Sequence, residues 1–273
     1  MPSAATGTVF DSDRLARRVV RIAMGITLVV AAILYAGKAA EDRSAFVRWR
    51  PQVLQLMGGV NIYNTTWFPN PPIMPISMYP LMLLPPVVGA MGWFLIKAAL
   101  AIIAGVLCIR MVRPGAGRVS PWIDGAIVLL SMRPILSDLH HGNNNILILF
   151  LIVATIEAWR RGYDVLAGLI LGFAITYKVT PALFVPYFLY KRSWRTVGAT
   201  FLGMAIFFGL IPSLVLGPRF NLECLQAWWN RVIGPYIEGG EVGRLEINQS
   251  MVGVLMRLLP RPRRAIGTTR CSA

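Results

Sequence analysis

The chain has 273 residues, 56% of them apolar, with a mean hydropathy of +0.60 and a formal net charge of +15. That apolarity excludes a soluble domain, and the absence of alternating polarity excludes a membrane β-barrel. The positive charge does not indicate nucleic acid. The basic residues sit at the ends of apolar runs (Arg14, Arg17, Arg18 and Arg21; Arg110, Arg113 and Arg118; Arg160 and Arg161; Lys191, Arg192 and Arg195), where topology-setting charges belong, and not on one solvated face.

Residues 51–96 are charge-free, as are 98–109, 139–156, 165–177 and 196–218. A span takes roughly twenty residues at about 1.5 Å each, which leaves room for about seven crossings. The expected fold is all-α, a single polytopic transmembrane helical bundle over residues 1–273.

Residues 1–9 are small and polar and expected to be disordered, within a cytoplasmic tail at 1–17. The basic run 14–21 keeps the amino terminus in the cytoplasm. An uncleaved signal anchor is preferred to cleavage near Lys38-Ala39-Ala40, which would remove the first helix. The loop 38–70 then lies outside. Within it, 45–57 is expected to form a short helix along the interface, with Phe46, Trp49 and Val53 facing lipid and Gly58-Gly59 ending it.

Two apolar blocks follow at 71–88 and 93–112, the second interrupted by Lys97. Blocks at 122–139 and 146–159 flank His140-His141-Gly142-Asn143-Asn144-Asn145. The block 165–190 holds Lys178 and Pro181 in its middle, and 197–216 is a clean span. Residues 217–250 form a second outer loop. A last apolar run at 251–259 is too short to span before Pro260. The tail has no structural character, so the chain is expected to be cut short.

Two topologies fit. In one, 71–112 crosses twice and Arg110–Arg118 lies outside. In the other it crosses once, the 165–190 block folds back at Lys178, and those arginines lie inside. Both put 191–195 inside and 217–250 outside.

Candidate chemistry falls on few residues. Asp42, just beyond the first apolar run, is either a catalytic base at the membrane surface or an interfacial carboxylate paired with Lys38 or Arg43. Lys178 is an ammonium inside an apolar block, which costs about 2.5–3.5 kcal/mol unless it finds water or a partner. Pro181 after it breaks the helix and opens backbone there. A lipid phosphate would suit this lysine, as would an internal partner. The 140–145 block suits hydrogen bonds to sugar hydroxyls, or a polar turn. Adjacent histidines diverge, so no metal is expected. Lys97 and Glu157 read as structural partners or snorkellers, and Trp228-Trp229 as part of an interfacial aromatic belt in preference to a sugar-stacking platform. Cys108, Cys224 and Cys271 have neither metal-ligand spacing nor an evident pairing. No nucleotide fingerprint or Ser-His-Asp arrangement is present, and no cofactor is expected.

In order along the chain, several pieces resemble glycosyltransferase family 87, membrane mannosyltransferases of GT-C architecture that use polyprenyl-phosphate-mannose. They are Asp42, Gly58-Gly59-Val60-Asn61-Ile62-Tyr63, Phe68 to Pro72, Gly142-Asn143-Asn144-Asn145, Ala167-Gly168 through Lys178-Val179-Thr180-Pro181, Lys191-Arg192-Ser193-Trp194-Arg195, and Asn248-Gln249-Ser250. The departures are Asn143 for the usual glutamine, Asn70 for the tyrosine before Pro-Pro, and missing carboxy-terminal spans.

The resemblance implies transfer of a hexose, mannose by family, from a polyprenyl-phosphate-sugar to a lipid or glycan acceptor on the outer face of the cytoplasmic membrane, with inversion. Asp42 would be the base. Lys178, with Arg43 in reserve, would bind the donor phosphate. His141, Asn143, Asn145, Tyr63, Asn248 and Gln249 would hold sugar or acceptor. The alternatives are a transporter or lipid-binding membrane protein, or an inactive truncated glycosyltransferase.

Overall fold

A computed structural model describes residues 5–112, 121–235 and 251–258, and among these the secondary structure is helical throughout. Three helices are long and apolar enough to cross a membrane: Arg18–Ala40, Pro86–Val112 and Trp194–Leu216. Their outer surfaces expose Val29, Ile33, Ile102 and Leu214, as helices bathed in lipid do.

The first helix, α1 (Ala5–Ala40), begins well inside the tail expected at 1–17. The alanines and arginines there are good helix formers, and no proline lies between Pro2 and Pro51. Helix α2 (Ala45–Met57) has the expected bounds. Ser44 Oγ caps it by accepting from Val47 N at 3.2 Å, and Gly59, at φ +87°, ends it.

Its apolar face does not meet lipid. Phe46 and Val53 are fully buried in the protein core and Trp49 packs against it. The reason is α4 (Ile73–Met82), which lies on α2 and whose Met82 carbonyl accepts from Arg50 Nε at 2.9 Å. Short α3 (Ile62–Thr65) sits between them in sequence.

Helix α4 does not cross. It has ten residues and stays at one end of the bundle, where Ser77 Oγ donates to the Tyr177 hydroxyl at 3.3 Å. Helix α5 (Pro86–Val112) descends alone, antiparallel to α1, with Phe94 stacked on Tyr35. Helices α6 (Pro121–His141), α7 (Asn145–Arg160) and α8 (Asp164–Tyr177) then alternate in direction. At the far end Arg160 donates to the Met111 carbonyl at 2.7 Å, and the Trp159 indole to Ser193 Oγ at 3.0 Å.

Helix α10 (Trp194–Met204) runs parallel to α8 at very short range. A Cβ on Gly168 would stand 2.4 Å from the Thr196 carbonyl, and one on Gly172 would stand 2.6 Å from that of Thr200. Only glycine allows backbones this close. Parallel neighbours require a return between them. It is made by extended Lys178 (φ −154°, ψ 128°), a 3₁₀ turn at Thr180–Leu183 and α9 (Phe184–Tyr190). The fold therefore follows the second topology, with 71–112 crossing once and a fold-back at Lys178. Arg110, Arg160, Arg161 and 191–195 share the end opposite Lys178.

Beyond α10, a π-helical stretch at Ala205–Leu210 leads to α11 (Ile211–Leu216). Pro212 has no N–H for the Phe208 carbonyl four residues back, and Asn221 Nδ2 donates to that carbonyl instead at 3.0 Å. The expected outer loop 217–250 opens as α12 (Pro218–Trp228), started by Pro218 after Gly217 at φ +88°. Trp228 is buried, its indole donating to the Pro69 carbonyl at 3.0 Å, so it docks α12 on the 38–70 segment and leaves Trp229 exposed. A last helix, Met251–Leu258, has eight residues and cannot span.

Candidate functional site

Helix α1 stops in a Schellman turn. Arg43 N donates to the Lys38 carbonyl at 3.0 Å and Asp42 N to that of Ala39 at 3.2 Å, with Asp42 at φ +56°. This left-handed position is where glycine normally stands. A side chain there costs on the order of 1–2 kcal/mol, less for Asp than for most residues. Asp42 is exposed, and Arg43 pairs with Glu41 instead of with it.

The 140–145 block packs against this turn. Gly142, at φ +74°, lies so close that a Cβ would reach 2.7 Å from the Tyr35 hydroxyl and 3.4 Å from Phe46 N. The Trp93 indole donates to the Gly142 carbonyl at 3.2 Å and fixes the loop from the α5 side. His140 faces the positive charges of Lys38 and Arg43. His141 Nδ1 lies 2.7 Å from the Ser137 carbonyl, which can only accept, so Nδ1 carries the proton and Nε2 is left as an acceptor.

At the centre is a residue that the sequence reading did not single out. Asp138, 8% exposed, accepts from Asn145 Nδ2 at 2.8 Å and from Ile146 N at 3.3 Å, in the first turn of α7, where a carboxylate suits the helix dipole. Lys97, fully buried, donates to the Asp138 carbonyl at 2.8 Å and reaches its carboxylate at 3.5 Å. Lys97 is thus the structural partner it was expected to be. Its need for a buried acid was the signal that could have found Asp138.

On the outward side, Lys178 Nζ donates to Asn145 Oδ1 at 2.6 Å. Lys178 stands past the end of α8. Burial pushes its ammonium below the usual lysine range, and the Asp138 carboxylate works against that. Asp42, the 140–145 block and Lys178 therefore share one end of the bundle, linked through Gly142 and Asn145.

The other expected ligands divide. Asn143 is half-buried in the same loop. Asn145 already has one protein partner at each of its polar atoms, Asp138 at Nδ2 and Lys178 at Oδ1. Tyr63 is 1% exposed, its ring edge-on to Phe68 and its hydroxyl donating to the Asn70 carbonyl at 2.9 Å. It holds the 38–70 segment together, and its hydroxyl is already bonded within the core. Asn248 and Gln249 lie outside the described residues. Glu157 pairs with Arg161 at 2.7 Å. A cleft of about 590 Å³ lies between Phe208, Leu225, Trp228 and Trp229 on the α12 side.

Three membrane-length apolar helices and shorter ones packed with them, with a charged turn and a lysine-bearing polar network at one end, define a helical membrane protein. The chain belongs to glycosyltransferase family 87, whose model matches residues 67–268. The match takes in Asp138, Asn145 and Lys178 and begins after Asp42, Arg43 and Tyr63.

Two curated proteins of Mycolicibacterium smegmatis (strain ATCC 700084 / mc(2)155) are similar. One is a polyprenol-phosphate-mannose-dependent alpha-(1-2)-phosphatidylinositol mannoside mannosyltransferase, 28% identical over 140 residues, 50% of this chain and 30% of that protein. The other is a polyprenol-phosphate-mannose-dependent alpha-(1-2)-phosphatidylinositol pentamannoside mannosyltransferase, 28% identical over 196 residues, 70% of this chain and 44% of that protein. The chain thus spans less than half the length of either. No solved structure matches.

Proposed function

We propose that this chain transfers a hexose, mannose by analogy with its relatives, from a polyprenyl-phosphate-sugar to a hydroxyl of a lipid-linked acceptor at the outer face of the cytoplasmic membrane. Asp42 is the base. The acceptor oxygen attacks the anomeric carbon as its proton passes to the Asp42 carboxylate. The bond from that carbon to the phosphate oxygen breaks, and polyprenyl phosphate leaves with the electron pair. Its developing charge falls to Lys178. A single displacement inverts the anomeric centre. His141 Nε2 and Asn143 orient sugar or acceptor.

One observation carries this reading. An exposed carboxylate occupies a turn position that glycine would fill with less strain, at the same end of the bundle as the Lys178 ammonium. Strain of this kind is tolerated where a side chain has work to do. The clustering of basic residues at the opposite end supports an outward placement for this one.

The chain in membranes, supplied with polyprenyl-phosphate-mannose and a phosphatidylinositol mannoside acceptor, is expected to transfer mannose. Asp42→Asn is expected to lower kcat by roughly a hundred- to ten-thousandfold with little change in donor binding. Transfer at wild-type rate by Asp42→Asn discards the base.

A further inference from the structure

Asp138 lies inside the bundle, one residue removed from the cation assigned above to the donor phosphate. Its carboxylate accepts from Asn145 Nδ2 at 2.8 Å, and Oδ1 of the same amide accepts from Lys178 Nζ at 2.6 Å. An amide seldom has its orientation so fully determined. Turned over, it would set oxygen against carboxylate and NH₂ against ammonium, two repulsions in place of two charge-assisted hydrogen bonds. Ile146 N, at 3.3 Å, and Lys97 Nζ, at 3.5 Å, hold the carboxylate itself, so it cannot swing away to release the amide.

The chain of contacts runs from a buried ion pair in the helix core to an ammonium outside the helices. Lys178 has nothing comparable on its own element. It sits in an extended break after α8, followed by the exposed residues Val179 and Thr180. A four-carbon side chain on such a break has many rotamers, and the Asn145 oxygen is what selects one of them.

We infer that Asp138 is a positioning residue: by locking the Asn145 amide it holds the Lys178 ammonium in place for the phosphate of the donor. The ligand class is a lipid phosphate, the phosphodiester of the donor and the monoester that leaves from it, and this role rests on the assignment of Lys178 made above. Asp138 does not touch the substrate. Lys97 neutralises it so that the carboxylate can stand in the core, and Asn145 transmits its orientation outward.

Removing the Asp138 carboxylate alone would leave the Lys97 ammonium buried with only a backbone carbonyl and no counter-charge, and the chain could fail to fold. The test therefore uses pairs. Lys97→Met with Asp138→Asn removes both charges and keeps an acceptor for Asn145. Lys97→Met with Asp138→Leu removes the acceptor as well.

Binding of polyprenyl monophosphate, with neutral polyprenol as the control, is measured on the purified chain in lipid nanodiscs. The Asn pair is expected to bind within about threefold of wild type, whereas the Leu pair and Asn145→Leu each lose roughly ten- to a hundredfold. Adding Asn145→Leu to the Leu pair is expected to cost nothing further, because both changes cut the same link.

Equal binding by the Asn and Leu pairs at equal melting temperature overturns the inference, as does additivity with Asn145→Leu, or phosphate binding no tighter than polyprenol in the wild type. If the binding pattern holds and the wild type still transfers no sugar, the proposed reaction falls and the role of Asp138 stands.

Discussion

The two ends of this bundle treat charge in opposite ways. At the end that gathers the starts of α8 and α10, the charges are outside. Arg161 pairs with Glu157 across one helical turn, Arg192 closes a turn in solvent at φ +55°, and the tight contacts are between backbones at Gly168 and Gly172. At the other end the charges face one another. Lys97 and Asp138 are buried, Asn145 and Lys178 extend the network outward, and Asp42 stands on a strained turn beside it. Charges in the first setting fix orientation at little energetic cost. Charges in the second are expensive to desolvate and persist only while each has its partners.

The difference can be tested by breaking one pair at each end. Lys97→Met alone leaves Asp138 buried and uncompensated and is expected to cost about 3–5 kcal/mol. Arg161→Ala at the opposite end is expected to cost less than about 1 kcal/mol. Unfolding of both variants in detergent, followed by helical signal, compares them directly. A similar loss for the two would erase the contrast between the ends.

Backbone contact at the basic end gives a smaller effect. Gly168→Ala meets the Thr196 carbonyl, which cannot move without its helix, and is expected to destabilise by about 1–3 kcal/mol. Gly198→Ala on the adjacent helix has open space around the new methyl and is expected to be neutral or slightly stabilising. The same unfolding measurement separates them.

The two left-handed non-glycine turns sharpen the comparison further. Asp42→Gly and Arg192→Gly both relieve a positive φ, and each is expected to gain up to about 1 kcal/mol. Only Asp42→Gly is expected to abolish sugar transfer. A substitution that stabilises the fold while removing activity separates function from folding at that position.

The pH dependence should also report the second end. Burial already disfavours the Lys178 ammonium, so its charge is lost at a lower pH than that of an exposed lysine. The donor kcat/KM is therefore expected to fall on an alkaline limb that lies below the ordinary lysine range. The titrating group faces Asn145, with Asp138 and then Lys97 behind it. Lys178→Arg, which does not titrate in this range, is expected to remove that limb while transferring more slowly. An unchanged limb in that variant would take the titration away from Lys178.

Local features were legible wherever a short stretch determines its own conformation. The end of α2 followed from the Gly58-Gly59 pair. The break at Lys178 followed from Pro181. Lys97 was recognisable as a charge that needed a partner. What escaped was identity at a distance. Asp138 sits within an apolar block and gives no local sign that it faces Lys97, 41 positions earlier. Asn145 reads as a sugar ligand until both of its polar atoms prove to be engaged. Tyr63 sits in an apparently open loop, and only the packing of Phe68 and the Asn70 carbonyl makes it a buried strut. Phe46 and Val53 were assigned to lipid because an amphipathic helix looks the same whether its apolar face meets a bilayer or a neighbouring helix.

By itself, then, the sequence determined the membrane class, the helical content and the points where helices start and break, because these depend on side-chain hydrophobicity and on the backbone limits of proline and glycine within a few residues. Tertiary structure alone decided that α4 stays at one end, that α8 and α10 run parallel, and that Asp138 lies between Lys97 and Asn145. Those outcomes depend on which surfaces pack together, and a buried charge acquires its meaning only from the partner that packing brings to it.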